Sequence, residues 1–195
     1  MQLLKNTTTP KFLITTSRNP NQTLRTFCND LNRSIPNSIR INRGKSNLDT
    51  VAVKALEHEA EKIIIADRWK GGLGKIQLFT LGDAGLVQFH PIIYVKNVRL
   101  QKTFRHAQTE AAKSLILQTE TKTPFKAHKL AKALSNFLNI PKLSANEKPS
   151  PNTQATMYIS LNAARRIQIT FIDAKGKIEV GPRITVSHLI WKTQK

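Results

Sequence analysis

The chain has a single cysteine, Cys28, which excludes an internal disulfide framework and a cysteine-based zinc site. Cys28 lies on the apolar face of an expected helix, where a buried small hydrophobe is the natural reading. Acidic residues are scarce, 12 against 31 lysines and arginines, and the formal net charge is +19. Apolar runs are short: none reaches the length that crosses a bilayer, and the opening residues hold no signal-peptide stretch. A soluble cytoplasmic protein without a membrane partner is expected. The five histidines, at 58, 90, 106, 128 and 188, show no metal-ligand spacing. The glycines of GGLGK at 71–75 invite a phosphate-loop reading, but a strand, IQLF, follows them where that motif needs a helix. Asp83 and Asp173 read as hairpin-turn aspartates, and Ser17 and Ser187 lack the setting of an activated nucleophile. No catalytic residue, cofactor or metal is therefore expected.

What the chain does have is enough apolar content for a core, 39% of its 195 residues, and cationic side chains throughout. The first 98 residues carry 14 basic and 7 acidic side chains and the remainder 17 and 5, so both halves are basic. Such a surplus points to a polyanionic partner.

The chain also repeats itself. Ile76 to Val98 and Ile167 to Leu189 superpose without a gap, with Gly85/Gly176, Pro91/Pro182, Ile93/Ile184 and Val95/Val186 identical. Each copy alternates apolar residues as a β-meander does. Upstream, Phe12 to Pro20 matches Leu115 to Thr123, and Phe27, Cys28, Leu31 and Ile35 match Leu130, Ala131, Leu134 and Leu138. The offset between copies falls from 103 to 91, so the second half is read as having lost 12 residues in its middle. A loosely ordered segment at 1–10 is expected, then one domain made of two half-repeats, about 11–98 and 113–192.

The first half reads βαβαβ followed by antiparallel strands, an α+β layer on a mixed sheet. Its first helix starts near Pro20. Its second is capped by Ser46 or Asn47 and turns Leu48, Val51, Ala52, Ala55 and Leu56 inward. Arg68 to Lys75 reads as a basic loop. Arg99 to Ala112 reads as a linker with one helical turn. In the second half, Thr123-Pro124 opens a helix whose outer face holds Lys126, Lys129 and Lys132, and Asn139 to Thr153 reads as a long loop.

The candidate contacts for a polyanion are cations at the expected strand and helix ends. Arg18 precedes the first helix, and Arg40, Arg43 and Lys45 precede the second, both on the edge beyond the parallel strands where anions are received. Arg68, Trp69 and Lys70 place an aromatic between cations, an arrangement that stacks an unpaired base while holding its backbone. Lys75 follows. Arg165, Arg166 and Arg183 are the cations of the second half. His188 and Trp191 are weaker candidates, because an apolar strand such as ITVSHLIW usually buries its aromatic.

Four blocks, ITTSRNP, IPNSIRINRGK, DRWKGGLGKIQLF and VGPRITVSHLIW, resemble the Brix-domain family, and its short archaeal members in particular. The resemblance implies two similar halves, each akin to the anticodon-binding domain of class IIa aminoacyl-tRNA synthetases. It implies a monomeric, RNA-binding ribosome biogenesis factor that acts on ribosomal RNA or its precursor, alongside ribosome-assembly proteins. It further implies an RNA contact at the block holding Gly181, Pro182 and Arg183, and it places Arg18, Arg43 and the RWK segment in the family's first-half motifs. The chain lacks the long terminal extensions of eukaryotic members, so their protein partners are not carried over. Three other readings stay open: a free-standing tRNA binder, a magnesium-dependent nuclease using Asp67, and a protein adaptor whose basic surface is incidental.

Overall fold

The apolar run at Phe12 becomes β1 (Lys11–Thr16), and the chain crosses through α1 (Gln22–Ser34) to the short β2 (Ser38–Arg40), which pairs parallel with β1. The computed structural model describes residues 11–69, 72–104, 110–144, 147, 149–173 and 178–192; the expected loose segment at 1–10 lies outside them. Asn21 caps α1 by accepting from the Leu24 amide, so Pro20 stands outside the helix and Arg18 belongs to the loop before it. The second crossover is α2 (Leu48–Glu57), capped by Asn47, and it leads to β3 (Ala60–Trp69), again parallel to β1. Antiparallel β4 (Gly72–Gly82) and β5 (Gly85–Arg99) complete the half. The expected loop from Arg68 to Lys75 is therefore largely strand, with Arg68 opposite Leu73 and Trp69 opposite Gly72. Alternating side chains near Lys75 carried a strand signal that the glycines obscured.

After a short 3-10 turn at Gln101–Thr103, the second half runs β6 (Leu115–Thr119), α3 (Phe125–Leu138), β7 (Lys142–Leu143), β8 (Ala155–Leu161), β9 (Ile167–Asp173) and β10 (Arg183–Ile190). β7 lies inside the stretch read as a long loop and holds beside β6 the place that β2 holds beside β1. Among the described residues no helix stands between β7 and β8. The segment missing from the second half thus corresponds to the 10-residue α2.

All these strands form one sheet in the order β2-β1-β3-β4-β5-β10-β9-β8-β6-β7, which reads alike from either edge. Each half contributes a mixed parallel and antiparallel set of strands, as its sequence pattern indicated, and the antiparallel pairing of β5 and β10 fuses the two sets. Val95 faces Val186, the two positions equated by the repeat, so an approximate two-fold axis passes through this pair, perpendicular to the sheet. The gapless match needs one correction. Ile76 lies opposite Ile93, but in the second half Ile169, not Ile167, lies opposite Ile184. A two-residue shift leaves every side chain on the same face of a strand, which is why alternation concealed it.

Such an axis puts α1 and α3 on the same face of the sheet, and they share one core. Phe27 and Leu31 of α1, Leu130, Leu134 and Phe137 of α3, and Ile64, Leu78, Ile93, Leu117, Ile159, Phe171 and Ile184 of the strands all belong to it. Phe137 crosses the middle, its ring 5.1 Å from that of Phe89 and 6.3 Å from that of Phe12. The Cys28 thiol is buried in the same core, and burial pushes it up to about 12. On the opposite face α2 packs Val51 and Ala55 against Leu13, Ile63, Ile65 and Phe79. Leu48 and Leu56 do not face inward as expected, being 42% and 64% exposed. Only the middle turn of α2 meets the sheet, so residues in its end turns overhang it.

The halves are also stitched through the connecting segment. The buried Asp30 carboxylate of α1 accepts from the Gln101 amide at 2.9 Å, and the Gln101 side chain donates to the Val180 carbonyl at 3.0 Å. Beside Val180, Gly181 approaches α1 so closely that a Cβ there would lie 2.3 Å from Ser34 Oγ and 2.8 Å from Phe171 Cβ.

Candidate nucleic-acid interface

The parallel pairing of β1 and β3 brings their C-terminal ends to one edge, where the loops leaving them diverge. Between those ends and the first turn of α2 lies a crevice of about 730 Å³. Ser17 and Arg18 enter from the loop after β1, Arg43 and Asn47 from the segment before α2, Asp67 and Arg68 from β3, and Gln77 and Phe79 from β4. The loop after β1 is fixed by the Ser17 amide, which donates to the Ala66 carbonyl at 2.8 Å. The segment before α2 is fixed by the Ile41 amide on the Ile14 carbonyl and by the Thr15 hydroxyl on the Ile41 carbonyl, each 3.0 Å. Gly44 then turns with a left-handed backbone, φ 61°, a conformation glycine takes without strain.

Arg43 is only 8% exposed. Its Nε donates to the Ser46 carbonyl at 3.1 Å, which anchors the guanidinium at the crevice wall. Burial holds its pKa below the ordinary arginine value, the nearby Arg18 charge lowers it further, and Asp67 opposes both. Asp67 is itself engaged: Lys75 Nζ stands 3.3 Å from one carboxylate oxygen and the Arg68 amide donates to the other at 2.7 Å. Ser17 Oγ is buried with no hydrogen-bond partner among the described residues. The crevice is thus rimmed by three guanidiniums against the carboxylates of Asp67 and Asp49.

A second crevice, of about 680 Å³, lies against the start of α3. Arg165 and Arg166, exposed on the β8–β9 turn, line it with Lys126, His188 and Trp191. Asn162 shapes that turn, accepting from the Arg165 amide at its carbonyl and from the Arg166 amide at its side chain. Trp191 is half-buried at the end of the sheet, with Lys129 Nζ 4.2 Å from its ring centre, and His188 stacks on Tyr94 with ring centres 4.2 Å apart. Because β5 and β10 run antiparallel, the C-terminal ends of β3 and β8 point in opposite directions. The two crevices therefore open at opposite ends of the sheet.

The structure brings Arg18, Arg43 and Arg68 together in the first crevice and Arg165 and Arg166 in the second. Lys75 stands beside the first but is bound to Asp67. Arg40 is turned by strand alternation to the α1 face, where its charge acts on Cys28 and its Nη2 donates to Asn42 at 2.9 Å. Lys45 is exposed on the Gly44 turn, outside the crevice lining. Arg183 lies apart from both crevices, ion-paired to Glu179 and 5.5 Å from the Phe104 ring centre. The Trp69 side chain and Lys70 lie outside the described residues. Sequence reasoning passed over Ser17 and Asn47 in the first crevice and Lys126 in the second. Their only signal was position, immediately beyond a strand or at a helix start.

No helix among the described residues is long and apolar enough to cross a membrane. No family model matches the chain. It is 34% identical over 92 residues to a probable Brix domain-containing ribosomal biogenesis protein of Pyrococcus horikoshii, a match spanning 46% of this chain and 40% of that protein. A protein of the same name from Methanopyrus kandleri is 28% identical over 128 residues, 65% of this chain and 66% of its own length. In the first of these matches the chain spans less than half of the relative's length. The crystal structure of a probable ribosomal biogenesis protein from Aeropyrum pernix superposes with a TM-score of 0.77 at 22% identity, covering 93% of this chain and 99% of that one. That of an archaeal Imp4-like protein superposes at 0.61 with 19% identity, covering 91% and 97%.

Proposed function

On the premise that this chain is a relative of the archaeal Brix domain-containing ribosomal biogenesis proteins, we propose that it is an RNA-binding assembly factor acting on precursor ribosomal RNA without turnover. The observation that carries this reading is the pair of basic crevices at opposite ends of one continuous sheet, in a chain of net charge +19. Each half works as an anticodon-binding-like unit, gripping the RNA backbone with arginines at its strand ends. A rigid sheet between two such grips stabilises one RNA pairing over its competitors while a ribosomal subunit folds. Ribosome-assembly proteins are further partners under this reading, and the chain acts as a monomer in the cytoplasm.

Contacts with about 5 phosphates give a slope near −3.5 for the logarithm of affinity against that of salt with single-stranded RNA. Fluorescence anisotropy over a range of potassium chloride measures it. The deciding experiment crosslinks the protein to RNA in its own cells and sequences what is attached. Enrichment in precursor ribosomal RNA is expected; enrichment in tRNA, or a diffuse pattern, overturns the reading.

A further inference from the structure

The first crevice has features that a general attraction to polyanions does not require. Arg43 is nine-tenths buried, and Arg18, a like charge, stands close enough to lower its pKa. Burying the Arg43 guanidinium beside the like charge of Arg18, which stands at the exposed rim, is unfavourable unless an anion lies against it. Of the two nearby carboxylates, Asp67 is already held by Lys75, and Asp49 sits in the first turn of α2, with one oxygen 3.4 Å from Asn47 Nδ2. The Arg43 Nε is bound to the Ser46 carbonyl, and Arg43 lines the crevice. Ser17 Oγ, buried in the same wall, has no partner among the described residues, although buried hydroxyls are nearly always paired. The first turn of α2 adds the positive end of a helix dipole. Beside these polar groups Leu48 is 42% exposed, an apolar surface in the crevice wall.

We propose that this crevice is a built site for one nucleotide unit of an RNA strand, its phosphate held between Arg43, Arg18 and the Ser17 hydroxyl and its ribose and base resting against Leu48. This deepens the RNA-binding reading and rests on it. The fork of Arg43 gives two parallel hydrogen bonds to phosphate oxygens, Ser17 donates a third, and Arg18 closes the site from solvent. The second crevice is not a copy of this site, because neither of its arginines is buried as Arg43 is and, among the described residues, no counterpart of α2 stands over it.

The test uses the full chain labelled with nitrogen-15, a ten-residue oligouridylate and inorganic phosphate. Arg18→Gln and Ser17→Ala alter the site at its least structural positions, and Lys132→Gln on the outer face of α3 removes the same charge as Arg18→Gln but far from the crevice. The Asn47 to Thr50 amide resonances are expected to move on adding either probe to the wild-type chain and to stay in place with Arg18→Gln. Affinity for the oligonucleotide is expected to fall about tenfold in Arg18→Gln, the effect of a charge-assisted contact, and clearly less in Lys132→Gln. Equal affinity of 5′-phosphorylated and 5′-hydroxyl oligomers assigns the site to an internal phosphodiester, and tighter binding of the phosphorylated one assigns it to a terminal phosphate. Oligonucleotide binding that leaves the 47–50 amides unmoved, or equal losses in Arg18→Gln and Lys132→Gln, overturns the site while leaving RNA binding intact. Absence of any binding overturns both.

Discussion

The two halves of this molecule share a plan but differ in what stands on the far face of the sheet. The first half lays α2 over Leu13, Ile63, Ile65 and Phe79, and the start of that helix forms one wall of the first crevice. In the second half Thr156 and Tyr158 stand at the positions of Ile63 and Ile65, and no described helix lies over them. The difference separates what a half needs in order to fold from what it adds. Strand, helix and meander suffice for the shared core, because both halves have them and both contribute to one apolar cluster. The extra crossover supplies one wall of the first crevice, and among the described residues the second half has no counterpart of it.

If the shared core is one cooperative unit, damage on either side must fell the whole molecule. Phe137→Ala, at a side chain 1% exposed that reaches into the other half, is expected to cost about 4 kcal/mol. Phe27→Ala, fully buried in α1, should cost a similar amount, with a single urea transition in both variants. Two separate transitions would show that the halves are independent.

A smaller effect probes the contact of α1 with the second half. Gly181→Ala pushes a methyl group against Ser34 and Phe171 and is expected to cost about 3 kcal/mol by overpacking. Pairing it with Ser34→Gly, which clears the closest of those atoms, should recover part of the loss in a denaturation series. No recovery would place the strain elsewhere.

The smallest effect concerns the Asp30 bridge. Burial raises the Asp30 pKa above the usual carboxylate range, against the opposing pull of the Gln101 amide, so the folded chain favours the protonated acid. That contribution is fully present below the unfolded carboxylate value, about 4, and is lost as pH rises through the folded value. Asp30→Asn keeps an acceptor for Gln101 without the charge. Urea midpoints from acid to neutral pH should therefore show the wild-type chain losing stability relative to this variant. Parallel curves would mean that the seam is indifferent to the charge.

Much of the architecture was readable because periodicity reports which face a side chain takes. The helix at Leu24, Phe27, Cys28 and Leu31, its counterpart at Ala127 to Leu138, and both meanders were visible in that way. What failed were features that periodicity does not encode. β7 has 2 residues, too few for any period. The two-residue shift between meanders preserves alternation, and the exposure of Leu48 and Leu56 depends on how much sheet lies beneath α2. The approach of Arg18 and Arg43 followed from the rule that parallel strands gather their C-terminal loops on one edge. The same rule grouped Arg40 and Lys45 with them, which lie outside the crevice lining, and Arg68, read as part of a separate loop, joins them at the end of β3. Lys75 and Arg183 looked like equal candidates because their partners, Asp67 across a hairpin and Glu179 around a bend, become neighbours only after folding.

A last consequence follows from the margins of the sheet. Its outermost strands are β2, with 3 residues, and β7, with 2. A long bare edge invites another chain to continue the hydrogen-bond ladder, and proteins avoid this by cutting the edge short. Here the truncation occurs on both sides, so a wide sheet offers a neighbouring copy almost no template. A strongly cationic protein that gathers on one long polyanion is crowded against its own copies; with such margins it can be concentrated there without being stitched into a fibre.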